Sequence, residues 1–303
     1  MTSGEPHPPT APVDNMENNE EKACGLPWSA DLAAAAEAAR AAAAVSLEGW
    51  NQPLDIEHKG AVDLVTEYDR RAEDAAMAVI SRRFPDDLIV AEESGGNATE
   101  DRRRGQARVW HVDPLDGTTN FAHGFPMFAS SVGLLVDGVP QVGVISAPAV
   151  GWTFAARRGH GATWNGRPMS VSKTRELGEC LAVTGFPYSR RRHAEAIAQR
   201  VKTFLETAQG LRRVGAAALD LCFVACGWLD LYFETSLKTW DVAAGTLLVE
   251  EAGGVVTDWR GGAARKAIPK GEVAASNGAV HDALLSVLGP IIEREESEMK
   301  GDS

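Results

Sequence analysis

The spacing of apolar positions divides the chain into helical stretches and strand-like runs. "SADLAAAAEAARAAAAVSLEGW" (29–50) opens on serine, a good N-cap, and continues through alanine, the strongest helix former, so a helix is expected there. "DLVTEYDRRAEDAAMAVISRRF" (63–84) repeats its apolar residues at helical spacing and ends against Pro85. "LIVAEES" and "RVWHV" (108–112) read as short buried strands that run into acids. Between 127 and 171, β-rich runs are punctuated by Asp-Gly, Gly-His-Gly and Asn-Gly, which predicts a meander of antiparallel strands.

Alternation follows. A strand is expected at 181–184, helices near 191–208 and at 216–227, and a strand at 229–233. A helix at 239–252, strands at 254–258 and 272–276, and a helix from 279 complete the body. The meander interrupts any βαβ rhythm, so mixed α and β layers are expected rather than a doubly wound parallel sheet. The pattern divides into 29–172, which holds most of the candidate site, and 173–292, which completes it; the two need not fold independently. Residues 1–28 form an acidic, Pro-rich arm and 293–303 a charged tail, expected as the frayed end of the last helix.

Composition narrows the function classes. The arm lacks the charged start and apolar block of a signal peptide and is too acidic for a transit peptide, and no apolar run reaches membrane-spanning length. The expectation is therefore a cytoplasmic protein with no membrane partner. Residues 1–27 and 293–303 together carry ten acids and three bases, which leaves −5 of the total charge of −12 on the body. That balance argues against a nucleic-acid partner bound through a broad basic face. The nearest basic cluster, "SRRRH" (189–193), reads as a solvated helix start. The four cysteines form no CxxC pair; Cys222 and Cys226, four apart in an apolar helix, read as reduced core residues.

Chemistry concentrates in "WHVDPLDGTTNFAHGFP" (110–126), where an apolar strand drives into Asp113 and Asp116 ahead of Gly117 and Thr118. Asp69, the Glu92–Glu93 pair and Asp241 also stand near element ends. Singly, each acid is compatible with a solvated turn or a helix dipole. Jointly, acids at the ends of core elements can converge on one cleft and need a counter-charge. The donors are all oxygens without His/Cys ligand spacing, which points to Mg²⁺ or Mn²⁺ rather than zinc. Backbone N–H groups after Gly117 can hold a phosphate, and two metals flanking it would polarise it and activate water. His111, inside an apolar strand, reads as a packed histidine, and the role of His123 is open. No Cys-x₅-Arg, Asp-x-Asp or P-loop pattern offers a rival phosphate chemistry.

"DPLDGTTNF" together with "WDVAAGTLLVEEAGG" resembles the two signatures of the inositol monophosphatase family, with "KGAVDLVTEYD", "AEES" and "GFPY" in order around them. The resemblance covers about 29–290. It implies an α+β fold, a layered αβαβα sandwich of the sugar-phosphatase type with mixed, largely antiparallel sheets. It further implies a homodimer and Mg²⁺-dependent, lithium-sensitive hydrolysis of a phosphorylated polyol, myo-inositol monophosphate first, with two or three Mg²⁺ per subunit and Mn²⁺ as a substitute. By position, Glu92, Asp113 and the Leu115 carbonyl would hold one metal. Asp113, Asp116 and Asp241 would hold a second, with Glu92 helping a third. Thr118 would hold the attacking water and Asp69 would accept from Thr118. Gly117 and Thr118 would offer N–H groups to phosphate, and Lys59 stands where the family often has a lysine.

Substrate hydroxyls would meet Asp116, Glu234 and the Gly215–Ala216–Ala217 segment. Asp241 also counts among the substrate-facing residues. Ala216 departs from relatives with a hydroxyl there, which removes one side-chain contact. "TTNF" resembles the inositol-type members more than the nucleotide 3'-phosphatases. Histidinol phosphate, fructose 1,6-bisphosphate, NADP and adenosine 3',5'-bisphosphate share the metal chemistry as alternative substrates. Some bacterial relatives instead act as regulatory proteins that bind transcription or ribosome machinery.

Overall fold

The computed structural model describes residues 28–52, 56–58, 64–97 and 107–301; of 56–58, 265–266 and 293–301 only the backbone is described. The arm to residue 27 and Lys59 lie outside these residues. Helix α1 (Ser29–Gly49) begins where expected, although Trp28, with φ 63°, takes the N-cap position and no side chain caps it. The expected helix at 63–84 starts later. Leu64–Thr66 is a strand (β2) paired antiparallel with Ile56–His58 (β1), and helix α2 runs over Glu67–Arg83. The cause is local: Val65 and Thr66 are β-branched, and Thr66 and Asp69 form a reciprocal capping box that starts the helix.

Seven strands form the first sheet: β3 (Leu88–Ala91), β4 (Arg108–Asp116), β5 (Ala129–Val136), β6 (Val139–Ala147), β7 (Trp152–Arg157), β8 (Ala162–Trp164) and β9 (Arg167–Pro168), in sequence order. Only the β3–β4 pair is parallel, so the expected meander is present in full. The second sheet contains β10 (Leu181–Thr184), β11 (Gly210–Arg212), β12 (Leu231–Glu234), β13 (Val255–Thr257) and β14 (Val273–Ser276), in the order β11-β10-β12-β14-β13. β11 carries no apolar alternation, and the sequence pattern did not predict it. Helices α4 (Ala194–Thr207), α5 (Ala217–Ala225), α6 (Thr239–Glu251), α7 (Ala264–Lys270) and α8 (His281–Gly301) accompany this half; α3 is the short helix Thr118–Ala122. The backbone of 293–301 thus continues α8 rather than fraying.

Three apolar cores set the layers. α1 and α2 cover one face of the seven-stranded sheet, with Ala35, Ala38 and Ile80 against Trp110 and Val132. α5 and α6 fill the space between the sheets, burying Leu221, Leu247 and Leu248 with Ile145 and Tyr232. Outside the second sheet, Phe204 of α4 stacks on Phe233 at 3.9 Å, beside Leu284 and Leu288 of α8. The result is the expected αβαβα sandwich.

Two facing glycines position the site. Gly133 and Gly143 are cross-strand partners on β5 and β6, and α6 lies directly on them. A Cβ on Gly133 would stand 2.9 Å from the Ala244 nitrogen, and one on Gly143 2.8 Å from the Ala244 carbonyl oxygen. Either methyl would force the helix outward, an overpacking cost of about 1–3 kcal/mol. The close approach lets the first turn of α6, with Asp241, reach the end of β4.

Candidate active site

Asp113 and Asp116 stand three apart, and in a regular strand they would point to opposite faces. β4 is not regular there. Asp113 pairs with Ser131 and Asp116 with Ala129, so three steps on one strand match two on the other. This bulge falls at Pro114–Leu115, where proline has no N–H for the ladder, and it returns both carboxylates to one face. The Leu115 N–H donates to Asp113 Oδ1 at 3.0 Å, closing the turn. Gly117, at φ 86°, then reverses the chain into α3; a Cβ there would meet the Met127 carbonyl at 2.9 Å.

The cleft at this point has a volume of about 310 Å³. Glu92, Asp113, Asp116 and Asp241 line it together with Leu115, Gly117 and Thr118. Gly215, Ala216, Ala217 and Glu234 form the other side. Among the described residues, the metal and substrate residues that the resemblance implies thus line one cleft, while Asp69 reaches it through Thr118 and Glu93 is not among the lining residues. Thr118 Oγ1 lies 3.0 Å from both Asp69 Oδ1 and the Leu115 carbonyl. Asp69 Oδ2 accepts from the Thr66 N–H and hydroxyl, each at 2.7 Å, so the capping box of α2 also aims its carboxylate at Thr118.

The acids raise one another's proton affinity. Burial, then Glu92, Asp116 and Asp241, hold Asp113 well above the usual carboxylate range. Burial and then Glu92 do the same to Asp241, against the Lys238 N–H that donates to it at 2.7 Å. Asp116 is pushed up to about 6, burial outweighing the N–H groups of Ala218, Ala217 and Gly117 that stabilise its charge. The Ala218 contact is 2.7 Å. The Gly117 and Ala217 N–H groups, expected to meet phosphate and substrate, also lie close enough to Asp116 to favour its charge.

This donor set suits a hard divalent cation. The side chains are carboxylates, a backbone carbonyl stands among them, and mutual repulsion asks for positive charge. Among the described residues no three His, Cys, Asp or Glu side chains stand, in their present positions, as a group that could hold an ion by themselves. Mg²⁺ keeps several waters and takes few carboxylates directly, so an open ring of acids around a cleft accommodates it.

The opposite side carries features not found in the sequence. Tyr232, buried on β12, donates to Glu234 Oε2 at 2.8 Å. Burial pushes Glu234 up to about 7, with Tyr232 and Arg213 acting against the rise. Asp220 of α5 is buried with no hydrogen bond to either oxygen among the described residues, and burial with Glu234 and Asp116 holds it well above the carboxylate range. Arg213 lies over the Phe186 ring at 5.6 Å and also lines the cleft. Arg190 lines it too. It sits in the turn that leads into α4, whose N-cap is His193, so "SRRRH" does run into a helix start, with Arg190 at the cleft rather than on an open solvated face. Asn120 Nδ2 ties the two sides together, donating to the carbonyls of Met127 at 2.6 Å and Val214 at 3.1 Å. On the metal side, Glu73 of α2 accepts from the backbone N–H of Glu93 at 2.7 Å and Ser94 at 2.8 Å, pinning the loop that carries Glu92.

His111 is buried on β4, where burial lowers its pKa to about 4, a neutral packed histidine as expected. His123 is exposed at the end of α3 and is not among the cleft residues. Cys180, Cys222 and Cys226 are free thiols. No helix of the described residues is long and apolar enough to cross a membrane.

The model of the inositol monophosphatase family matches residues 28–293. Over 270 residues, 86% of this chain and 70% of the other, the sequence is 42% identical to the chloroplastic phosphatase IMPL1 of Arabidopsis thaliana. It is also 42% identical to an inositol-1-monophosphatase of Synechocystis, covering 85% of this chain and 88% of that one. The extragenic suppressor protein suhB of Bartonella henselae superposes with a TM-score of 0.79 at 36% identity, covering 86% of this chain and 98% of that chain. With the matched segment spanning both sheets and every acid of the cleft, the chain belongs to the inositol monophosphatase family of phosphatases.

Proposed function

We propose that the protein is a phosphomonoesterase that hydrolyses myo-inositol monophosphate to inositol and phosphate. The family is Mg²⁺-dependent. The residues that would hold the ion here are Glu92, Asp113, the Leu115 carbonyl, Asp116 and Asp241, with two or three ions per subunit. Bound Mg²⁺ supplies Lewis acidity toward a phosphate oxygen and toward the attacking water.

The observation that carries this reading is the 3.0 Å contact between Thr118 Oγ1 and Asp69 Oδ1 at the edge of a cleft whose metal side carries Glu92, Asp113, Asp116 and Asp241. A threonine hydroxyl alone is a poor base. Donating its proton to Asp69, it keeps lone pairs to accept from a water and to turn that water's own lone pair toward phosphorus. Asp69 is held for this by Thr66 on its second oxygen, and so is a fixed acceptor rather than a mobile one. Across the cleft, Glu234 would take a hydroxyl of the leaving group, and its presence in the lining supports a polyol ester.

A relative named Nus factor SuhB, of Pasteurella multocida and 37% identical, also raises a regulatory reading, a protein that binds transcription or ribosome machinery. Phosphate release separates the two. Inositol 1-phosphate would be supplied with Mg²⁺, with EDTA and with Li⁺. Histidinol phosphate, fructose 1,6-bisphosphate, NADP and adenosine 3',5'-bisphosphate would run in parallel, and Asp116→Asn would serve as the blank. Preferential Mg²⁺-dependent turnover of the inositol ester, lost in the variant, is the expected result. Turnover of another ester alone moves the substrate, and turnover of none removes the enzyme reading.

A further inference from the structure

Gly185, which opens the "GFPY" segment after β10, is a glycine for an unusual reason. Its backbone is not in the left-handed region, unlike that of Gly117 or Gly215, so nothing in its φ requires glycine. What requires it is space. A Cβ built on Gly185 would fall on the Glu234 carboxylate, overlapping both oxygens and the carbon between them. Glu234 thus occupies the volume that any other residue at 185 would fill with its own side chain.

The same carboxylate is tied on one side only. Its Oε2 accepts from the buried Tyr232 hydroxyl at 2.8 Å. Its Oε1 has no hydrogen-bond partner among the described residues, and Glu234 lines the cleft. A carboxylate with one oxygen fixed by the protein and the other free is suited to accept from a ligand hydroxyl. β10 and β12 are parallel neighbours, with Thr184 paired to Phe233, so the seat at 185 and the carboxylate at 234 are brought together by adjacent strand ends.

We propose that Gly185 is a positioning residue that sets leaving-group specificity, its missing side chain forming the seat in which Glu234 presents Oε1 to a substrate hydroxyl. The inference rests on the reading of the cleft as a polyol-phosphate site. It adds that selectivity for a hydroxylated leaving group depends on the absence of a side chain at a cleft-lining position. It also separates selectivity from turnover, because the atoms nearest a side chain at 185 all belong to Glu234 and none to Thr118 or the metal-side acids.

The test is a double-variant cycle on the full chain with Mg²⁺ present. The specificity ratio is kcat/KM for inositol 1-phosphate divided by that for p-nitrophenyl phosphate, whose leaving group has no further hydroxyl. Gly185→Ala is expected to lower this ratio about ten- to a hundredfold, the worth of a hydrogen bond to a charged group, mainly through KM for the inositol ester. In a Glu234→Ala background, where the seat is empty, Gly185→Ala is expected to change the ratio less than about twofold. Equal effects of Gly185→Ala in both backgrounds would overturn the proposal.

If Gly185→Ala alone folds poorly, the melting temperature decides. Recovery in the double variant supports the seat, and no recovery shows that the added methyl meets something else. A wild-type protein without preference for the inositol ester would remove the polyol reading and the proposal together. A wild-type preference retained in Gly185→Ala removes the proposal alone.

Discussion

The two sides of the cleft are built by different means. On the metal side, most of the aiming is done by devices a few residues long, with Glu73 holding the Glu92 loop and Ala218 donating to Asp116 from farther away. A bulge at Pro114–Leu115 turns Asp113 and Asp116 to one face. A capping box spanning Thr66 to Asp69 fixes the carboxylate that meets Thr118. The Lys238 N–H holds Asp241 from three residues away. On the leaving-group side, contacts bridge long stretches of chain: Gly185 with Glu234, and Asn120 with Val214. The metal side can keep its geometry through local chemistry, whereas the leaving-group side depends on the packing of the two sheets. The first should therefore govern turnover of any phosphate ester, and the second the choice among them.

Removing the metal is the harshest test of that division. EDTA is expected to abolish turnover of inositol and aryl phosphates alike, because the phosphate is common to both. It should also lower the melting temperature relative to Mg²⁺, since the acids are left repelling one another. At an ion concentration a hundredfold above the dissociation constant, the difference corresponds to about 2.7 kcal/mol. Selective loss of one ester would break the comparison, and an unchanged melting temperature would remove the metal from the acid cleft.

Asp69→Asn comes next. Its amide can still accept at one oxygen, yet it is no acceptor for a proton moving off Thr118. A fall in kcat of about 10²- to 10⁴-fold is expected, equal for both esters, with KM little changed. Far-ultraviolet circular dichroism would verify that α2 persists after its capping box is altered. A variant that loses selectivity rather than rate would contradict the role given to the pair.

The acids themselves were legible: Asp113 and Asp116 ahead of Gly117 and two threonines stand in one short stretch, and the family resemblance added the rest. The devices that aim them, the bulge at Pro114–Leu115 and the Thr66–Asp69 cap, were not expected from the sequence. The layered fold was equally readable from alternating patterns, apart from β11 and the first turn of the 63–84 segment, where β-branched residues and a cap override helical periodicity. What was not legible depends on residues that meet only through the fold, such as Glu73 with Glu93, 20 positions apart, and Asn120 with Val214, 94 apart. Nothing near Gly185 announces Glu234, and nothing in "SRRRH" shows that Arg190 turns toward the cleft. Glu73 lies on a helical face like any other acid until the 92–94 loop is folded over it.

Glu73→Ala would sharpen the metal side further. The variant leaves the Glu93 and Ser94 N–H groups without their acceptor and frees the loop bearing Glu92. Supporting residues of this kind are worth about 10- to 100-fold in metal affinity. The Mg²⁺ concentration for half-maximal thermal stabilisation should rise accordingly, while the specificity ratio between esters stays at its wild-type value. A shift in that ratio would mean that the two sides are coupled through α2.

Asn120→Ala tests the seam itself, and its effect should be the smallest. The amide donates to carbonyls on both sides of the cleft, so its loss leaves buried acceptors unpaired and costs about 1–3 kcal/mol of stability. Thr118, two residues earlier, stays in reach of Asp69 because that contact depends on the Gly117 turn and the α2 cap rather than on Asn120. The Val214–Gly215 segment, by contrast, loses a tether. The expected result is a drop of a few-fold in the ratio favouring inositol phosphate, with aryl phosphate turnover nearly unchanged. A drop in both by the same factor would show that Asn120 holds the catalytic turn, and that the metal side is less self-contained than its local devices imply.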